Sequence, residues 1–373
     1  MSSKTKILFL TICSLTKLPG GTSEYDEQDA VTSRLPADAG DFLLQAREKV
    51  RRWLKRTGTE WQGVPIPNLE YNQNLVCGRD FGGKDQRAMY YPALRRYEGR
   101  FYQALGQEGK LKLFRSKHHV LFLSGLYGLL CPMEPIQLYS CPVEFNSKPF
   151  DIWTGDTLTN VLIAYIREHG ITRVFDFTAV SAYRKLISWP SIRVEVKGQV
   201  LHCFGSMAAG ADLLVPFGHL MKDYFLEATE DELLHIQCGT KKGTVTQDIW
   251  FDETPRPPSG KPHEIERATL ELADKLERQR RGVIRFLDRV EKKSSFGLSR
   301  ELTGKRISRL EQENRLESEE AKAMLTITRF RNKVVFKEDF QPEQKDLEKV
   351  ETAWEYLATR VGQHRWKITE FQI

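Results

Sequence analysis

At 373 residues and 43.1 kDa the chain is too long for one ordinary small domain, so two domains, or one large domain with an appendage, are expected. A hydrophobic content of 40%, with 20 Phe, 12 Tyr and 7 Trp, excludes wholesale disorder. The net charge of +6 is mild but uneven: residues 41–117 carry 16 basic and 8 acidic side chains, whereas 118–258 carry 11 and 16. A basic block followed by an acidic one points to a nucleic-acid footprint.

Early in the chain, Lys6–Thr11 reads as a short apolar strand that runs into Cys13-Ser14-Leu15-Thr16-Lys17 and the breaker Pro19-Gly20-Gly21. The longest early apolar run, Ile7–Ile12, is too short for a signal-peptide core or a membrane span. Six cysteines without a C-x-x-C pair therefore read as reduced thiols of a cytoplasmic protein, with no membrane contact. Only His118-His119 pairs histidines, and adjacent residues cannot share a face, so neither a metal nor another cofactor is expected.

Ala37–Arg56 is predicted as a helix, with Asp38 as a possible cap. Phe42, Ala46, Val50, Trp53 and Leu54 form its apolar stripe, and Arg47, Lys49, Arg51, Arg52, Lys55 and Arg56 its other face. Gly63–Gly83 reads as loop. Val120–Leu123 is a buried strand feeding the glycine-punctuated turn Ser124-Gly-Leu-Tyr-Gly128. Asp156–His169 is a helix, Arg173–Phe177 a strand, and Val180–Trp189 a helix. Arg193–Val196 and Val200–Phe204 are expected to form a hairpin across Lys197-Gly198-Gln199, before a helix over Val215–Leu226 and a last strand over Val245–Phe251. The proline-rich stretch 254–262 is a linker separating an α/β part (1–253) from an all-α part (263–373). In the latter, Glu264–Lys292, Lys305–Lys337 and Glu343–Val361 read as three charged helices with apolar stripes.

Ligand sites of α/β sheets gather where strands end, which draws attention to Ser124–Gly128 and to Ser14 and Lys17, whose hydroxyl and ammonium suit an anion such as phosphate. The plain alternatives are a tight turn and an ordinary polar loop. Glu134, Gln137 and Tyr139, then Trp153, Asp156 and Asn160, bring carboxylates, amides and aromatics close in sequence. Such a set suits base recognition: rings stack, an amide reads an edge, and a carboxylate orients water or steadies positive charge on a sugar as its C–N bond breaks. Asp156 could equally cap its helix. Asp176, mid-strand, needs a partner or a chemical role. The aromatic and basic stretch 90–117 suits phosphate contacts, with Arg95, Arg96, Arg100, Lys110 and Lys112 as the candidates.

Leu121 to Tyr139, LFLSGLYGLLCPMEPIQLY, resembles the signature of the YaaA peroxide-stress family. Similar marks occur in order: Ile7–Lys17, Arg95–Gly106, Trp153-x-x-Asp156-x-x-Thr159-Asn160, Asp176–Tyr183 and Ala209–Ala211, so the resemblance spans about residues 6–253. Ser206-Met-Ala-Ala-Gly210 lacks the basic pair of the corresponding family element. The resemblance implies a mixed α/β fold that binds double-stranded DNA and is linked to oxidative DNA damage, with relatives beside phage-defence genes. The tail resembles a HEPN-type domain through Arg331-Asn332-Lys333, but Phe336 stands where HEPN ribonucleases have a histidine, which implies a dimerisation or partner-docking module. The expected function is a DNA glycosylase acting on modified or damaged bases. Asp156, Asp176 and Glu134 are then the catalytic candidates, and Ser14, Lys17, Ser124, Tyr127, Gln137, Tyr139, Trp153 and Asn160 hold the ligand. A non-catalytic DNA-binding stress protein and a defence-system interaction module are the alternatives.

Overall fold

The computed structural model describes residues 6–56, 60–61, 64–65, 67–145, 147–205, 210–255, 263–291, 303–336 and 342–363. By backbone contacts they fall into two units, Met1–Ser188 with Glu195–Pro257, and Trp189–Val194 with Pro258–Ile373.

The first unit is built on a seven-stranded mixed sheet. Its strands are β1 (Ile7–Ile12), β2 (His119–Ser124), β3 (Gly128–Leu130), β4 (Arg173–Asp176), β5 (Val200–Gly205), β6 (Lys241–Gly243) and β7 (Asp248–Asp252), in the order β6-β7-β5-β4-β1-β2-β3. The four central strands β5, β4, β1 and β2 are parallel; β3, β7 and β6 add antiparallel edges. All six residues of β1 are buried, as a central parallel strand covered on both faces requires. On one face Phe9 and Phe175 meet Phe225, which also touches Phe177 and Phe251. Leu8 and Leu10 alternate to the other face.

Helix α1 spans Ala37–Arg56, as its apolar spacing predicts, and packs with α3 (Thr157–His169), while α2 (Arg100–Arg115) packs with the helix Leu214–Leu220. Asp38 accepts a hydrogen bond from the Ala39 amide inside the first turn. The expected helix Val215–Leu226 is α-helical to Leu220 and continues as one π-helical stretch, Met221–Phe225, whose Phe225 fills the aromatic layer.

The expected hairpin over residues 193–204 does not form. Trp189–Glu195 is a helix, and Lys197 and Gly198, at φ 52° and 83°, turn the chain into β5. That strand pairs in parallel with β4, Asp176 facing His202. A two-residue positive-φ turn looks the same in sequence whether the next strand returns on itself or joins a distant neighbour.

In the second unit, α4 (His263–Glu291), α5 (Thr303–Gln312), α6 (Ser318–Phe336) and α7 (Gln344–Gln363) bury Leu276, Leu287, Ile307, Met324, Ile327 and Val350 in one core. The single helix expected over Lys305–Lys337 is two. Asn314 takes φ 54°, and the amides of Arg315 and Leu316 both turn back to the Leu310 carbonyl.

Candidate functional site

In the order of the four parallel strands, the chain steps from β1 to β2 on one side, then crosses β1 to β4 and β5 on the other. The reversal puts a topological switch point between β1 and β4, and the crevice outside their C-terminal ends is where sheets of this kind bind ligands. Cys13–Lys17 leaves β1 there, and Phe177–Tyr183 leaves β4. They meet: Cys13 Sγ and Tyr183 Oη are 3.2 Å apart.

The loop after β1 is fixed by a short backbone ladder. Glu98 N donates to Thr16 O at 3.0 Å and Leu18 N to Arg96 O at 2.8 Å, and Lys17 bridges to Tyr97. Ser14 Oγ donates to Thr16 O and accepts from Gly99 N, both at 2.7 Å. A Cβ at residue 99 would stand 2.4 Å from that oxygen, so only glycine permits the approach. Within this loop the usual order is inverted: Leu15 is 46% exposed, whereas Lys17 is 3% exposed. Lys17 Nζ donates to the Ser14 carbonyl and lies over the Tyr139 ring; among the described residues no carboxylate is within ion-pair distance of it. Burial lowers its ammonium to about 8. Beneath it, Tyr139 Oη joins Ser124 Oγ at 2.7 Å and Tyr97 Oη at 2.9 Å.

Four of the residues singled out in the sequence, Ser14, Lys17, Ser124 and Tyr139, thus share one cluster joined by hydrogen bonds and a cation–π contact. In Ser124–Gly128 the glycines serve packing. The Cys141 carbonyl would lie 2.0 Å from a Cβ at residue 125, and Gly128, at φ 70°, lies under the Trp153 ring. Residues 66–205 match the sequence profile described as peroxide stress protein YaaA. The match relates this part of the chain to a YaaA family concerned with oxidative stress. It covers the Ser124–Tyr139 signature and Tyr183, whereas Ile7–Lys17 and Ala209–Ala211 fall outside it. No curated protein matches the chain.

The remaining residues of the YaaA-like signature sit elsewhere. Tyr127 is fully buried, stacked on Phe81 at 5.2 Å with the Arg47 guanidinium over its ring, so neither face is open to a base. Its hydroxyl donates to Asp80 Oδ2 at 2.6 Å, and Gln137 Nε2 donates to Asp80 Oδ1 at 2.9 Å. Gln137 also exchanges hydrogen bonds with the Val76 backbone, which occupies the amide that was expected to read a base edge. Burial raises the Asp80 carboxyl to about 7 against these hydrogen bonds. Glu134 pairs with Arg47 at 2.7 Å and accepts from the amides of Val31 and Cys131, a role in the core rather than in chemistry. Trp153 is buried, its Nε1 donating to Gly125 O at 2.7 Å.

Asp176 is fully buried at the end of β4. Its Oδ2 lies 2.7 Å from His202 Nδ1 and 2.8 Å from Arg184 Nε, and Thr178 donates to Oδ1. Burial alone would raise this carboxyl, but Arg184 and His202 outweigh it and hold it below its ordinary value. Asp156 is half-buried at the start of α3 and its side chain accepts no capping hydrogen bond; Asn160 lies one turn on, also half-buried.

The expected basic surface is reduced. Arg96 is fully buried, its Nη1 donating to Leu18 O at 2.7 Å and Gly20 O at 2.8 Å, and its Nη2 to Ile136 O at 3.1 Å. Arg47, placed on the polar face of α1, is likewise a core residue, with Tyr127 O and Leu129 O as acceptors. Arg95 is exposed and stacks on Tyr91 at 4.2 Å; Arg100 is exposed and pairs with Asp212 at 2.8 Å. Lys112 pairs with Glu108 and Glu227, and Lys110 donates to Tyr97 O at 3.3 Å. The segment 206–209, the lost basic element, lies outside the described residues.

Sequence reading missed Arg47, Asp80, Tyr97, Tyr183 and His202. Arg47 carried a legible signal, since it stands at helical spacing from Leu43, Val50 and Leu54, all buried. In the helical unit, Arg331 is buried with its Nε 2.8 Å from Glu277 Oε2, which braces α6 to α4; the Phe336 side chain lies outside the described residues. Among the described residues no group of three or more His, Cys, Asp or Glu is placed to hold a metal, and no helix is long and apolar enough to cross a membrane.

Proposed function

We infer that the α/β unit binds DNA and processes modified or damaged nucleobases as a DNA glycosylase, in a DNA-damage or phage-defence response. The observation that carries this reading is the convergence of Ser14, Lys17, Ser124 and Tyr139 outside the ends of β1 and β2, on a loop that also meets Tyr183 across the switch point between β1 and β4. The match to a peroxide stress family supports it, because oxidised bases are a direct product of peroxide chemistry in DNA. Exposed Arg95 and Arg100 are the phosphate contacts in this reading, and the half-buried Asp156 is the carboxylate that orients water or steadies charge on the sugar.

A non-catalytic DNA-binding role is favoured by one observation: Asp176 is enclosed by Arg184, His202 and Thr178 and presents no free carboxylate oxygen to a substrate. The two readings separate when purified protein is incubated with normal, oxidised and glucosylated-hydroxymethylcytosine duplexes and abasic sites are counted. Base release from a modified duplex supports the glycosylase. DNA binding without release from any of the three supports the second reading.

A further inference from the structure

A lysine is among the costliest side chains to remove from water, and loops turn it outward by default. In the Cys13–Lys17 loop the reverse holds: Leu15 is nearly half exposed and Thr16 is exposed, whereas Lys17 is folded beneath them together with Ser14. Among the described residues its ammonium has one hydrogen-bond acceptor, the Ser14 carbonyl, and it faces the Tyr139 and Tyr97 rings, at 4.1 and 5.7 Å from their centroids. The usual device for a buried lysine, an ion pair, is absent among the described residues. Aromatic faces and a single carbonyl hold an amine in place without a carboxylate to lock in its charge. The backbone ladder from Thr16 and Leu18 to Arg96 and Glu98 fixes the loop, so the inward turn is built rather than incidental. Half-buried Cys13 and exposed Leu15 place this loop at the protein surface, at the C-terminal end of β1.

From this arrangement we propose that Lys17 is an amine nucleophile that forms an imine with an aldehyde-form sugar, the open-chain deoxyribose of an abasic site in DNA. The amine lone pair adds to C1′, and the aldehyde oxygen takes a proton to give a carbinolamine. That oxygen then leaves as water with the two hydrogens lost by the amine, and a C=N bond replaces the C=O. Water hydrolyses the imine and restores the free amine, so no oxidant or reductant is consumed. The partial loss of charge on Lys17 near neutral pH suits this step, because only the free base attacks. The proposal rests on the base-processing reading for its substrate, since an abasic site is what base release leaves behind.

The test uses the full chain with a duplex containing one preformed abasic site, and cyanoborohydride to reduce any imine to a stable amine. A protein–DNA adduct mapped by mass spectrometry to the peptide holding Lys17 is the expected result, with trapping that rises through about pH 8 rather than near 10.4 as for a surface lysine. Lys17→Met and Lys17→Arg are both expected to lose the adduct, the latter while keeping a cation. No adduct, or one mapped elsewhere in the wild-type chain, overturns the proposal, and that mapping does not depend on any variant folding. The outcome is separable from the base-release assay. An adduct at Lys17 without base release from any modified duplex leaves the amine chemistry standing and removes the glycosylase. Base release with no adduct does the opposite.

Discussion

The Lys17 Nζ atom lies 4.1 Å from the centroid of the Tyr139 ring, and the Tyr139 hydroxyl is held between Ser124 and Tyr97. A cation over a ring edged by two further hydroxyl groups is partly compensated, but burial still depresses it to about 8.

That depression makes Lys17 a stability cost. A drop from 10.5 to about 8 corresponds to about 3 kcal/mol at neutral pH. Lys17→Met is therefore expected to stabilise the α/β unit by up to about that amount while removing whatever function the amine has. Because the folded value is the lower one, the gain is largest below pH 8 and shrinks as pH rises toward 10.5. Urea titrations of both proteins across that range measure it.

Two buried carboxyls predict opposite pH trends. Asp80 is raised to about 7, so its favourable contribution is complete below 3.8 and is lost as pH rises through 7. Glu277 is pushed up by burial, but Arg280 and Arg331 prevail and hold it far below 4.5; its contribution is present above that value and is lost on acidification. Asp80→Asn is expected to flatten the loss of stability between pH 4 and 7 in the α/β unit. Melting curves with tryptophan fluorescence over pH 3–8 check both slopes.

DNA binding is expected to depend on Arg95 and Arg100 and not on Arg96. Replacing the two exposed arginines weakens binding to all sequences alike and lowers the salt slope by about one per lost phosphate contact. Arg96→Ala instead empties a fully buried site and strips donors from the carbonyls of Leu18, Gly20 and the buried Ile136, and is expected to destabilise by about 3 kcal/mol or more. Filter binding across salt and a thermal melt distinguish a lost contact from a lost fold.

Asp156→Asn tests the carboxylate assignment. Loss of one electrostatic contact to a transition state costs about 2.7–4 kcal/mol of barrier, a hundredfold or more in rate. Base release is expected to fall by that factor while DNA affinity holds, because the substitution keeps the size and shape of the side chain and removes only its negative charge.

The helical unit is expected to have no ribonuclease activity. Arg331 is engaged with Glu277 in the core, and Phe336 has no proton to exchange. Arg331→Ala is expected to destabilise the unit by about 3 kcal/mol, since Glu277 then loses one of its three arginines. RNA cleavage by the wild-type chain that disappears in this variant would contradict the assignment.

Local pattern determined much of the framework. The spacing of Phe42, Ala46, Val50 and Leu54 is enough to define α1, although the structure buries Leu43 rather than Phe42, and the apolar runs at Ile7 and Val120 are enough to define β1 and β2, because a period of 3.6 or a short buried run is a property of contiguous residues. The Ser124–Tyr139 segment likewise carries its family signature in itself. Tertiary structure decided which polar residues face inward. Arg47, Arg96 and Lys17 look like surface cations in sequence. They are buried because distant segments supply the carbonyls of Leu129 and Ile136 and the ring of Tyr139 to receive them. The same holds for β5, whose partner β4 lies a helix away rather than across the Lys197-Gly198 turn. A donor's acceptor and a strand's neighbour are chosen by packing between segments far apart in the chain, and single-residue chemistry carries no record of that choice.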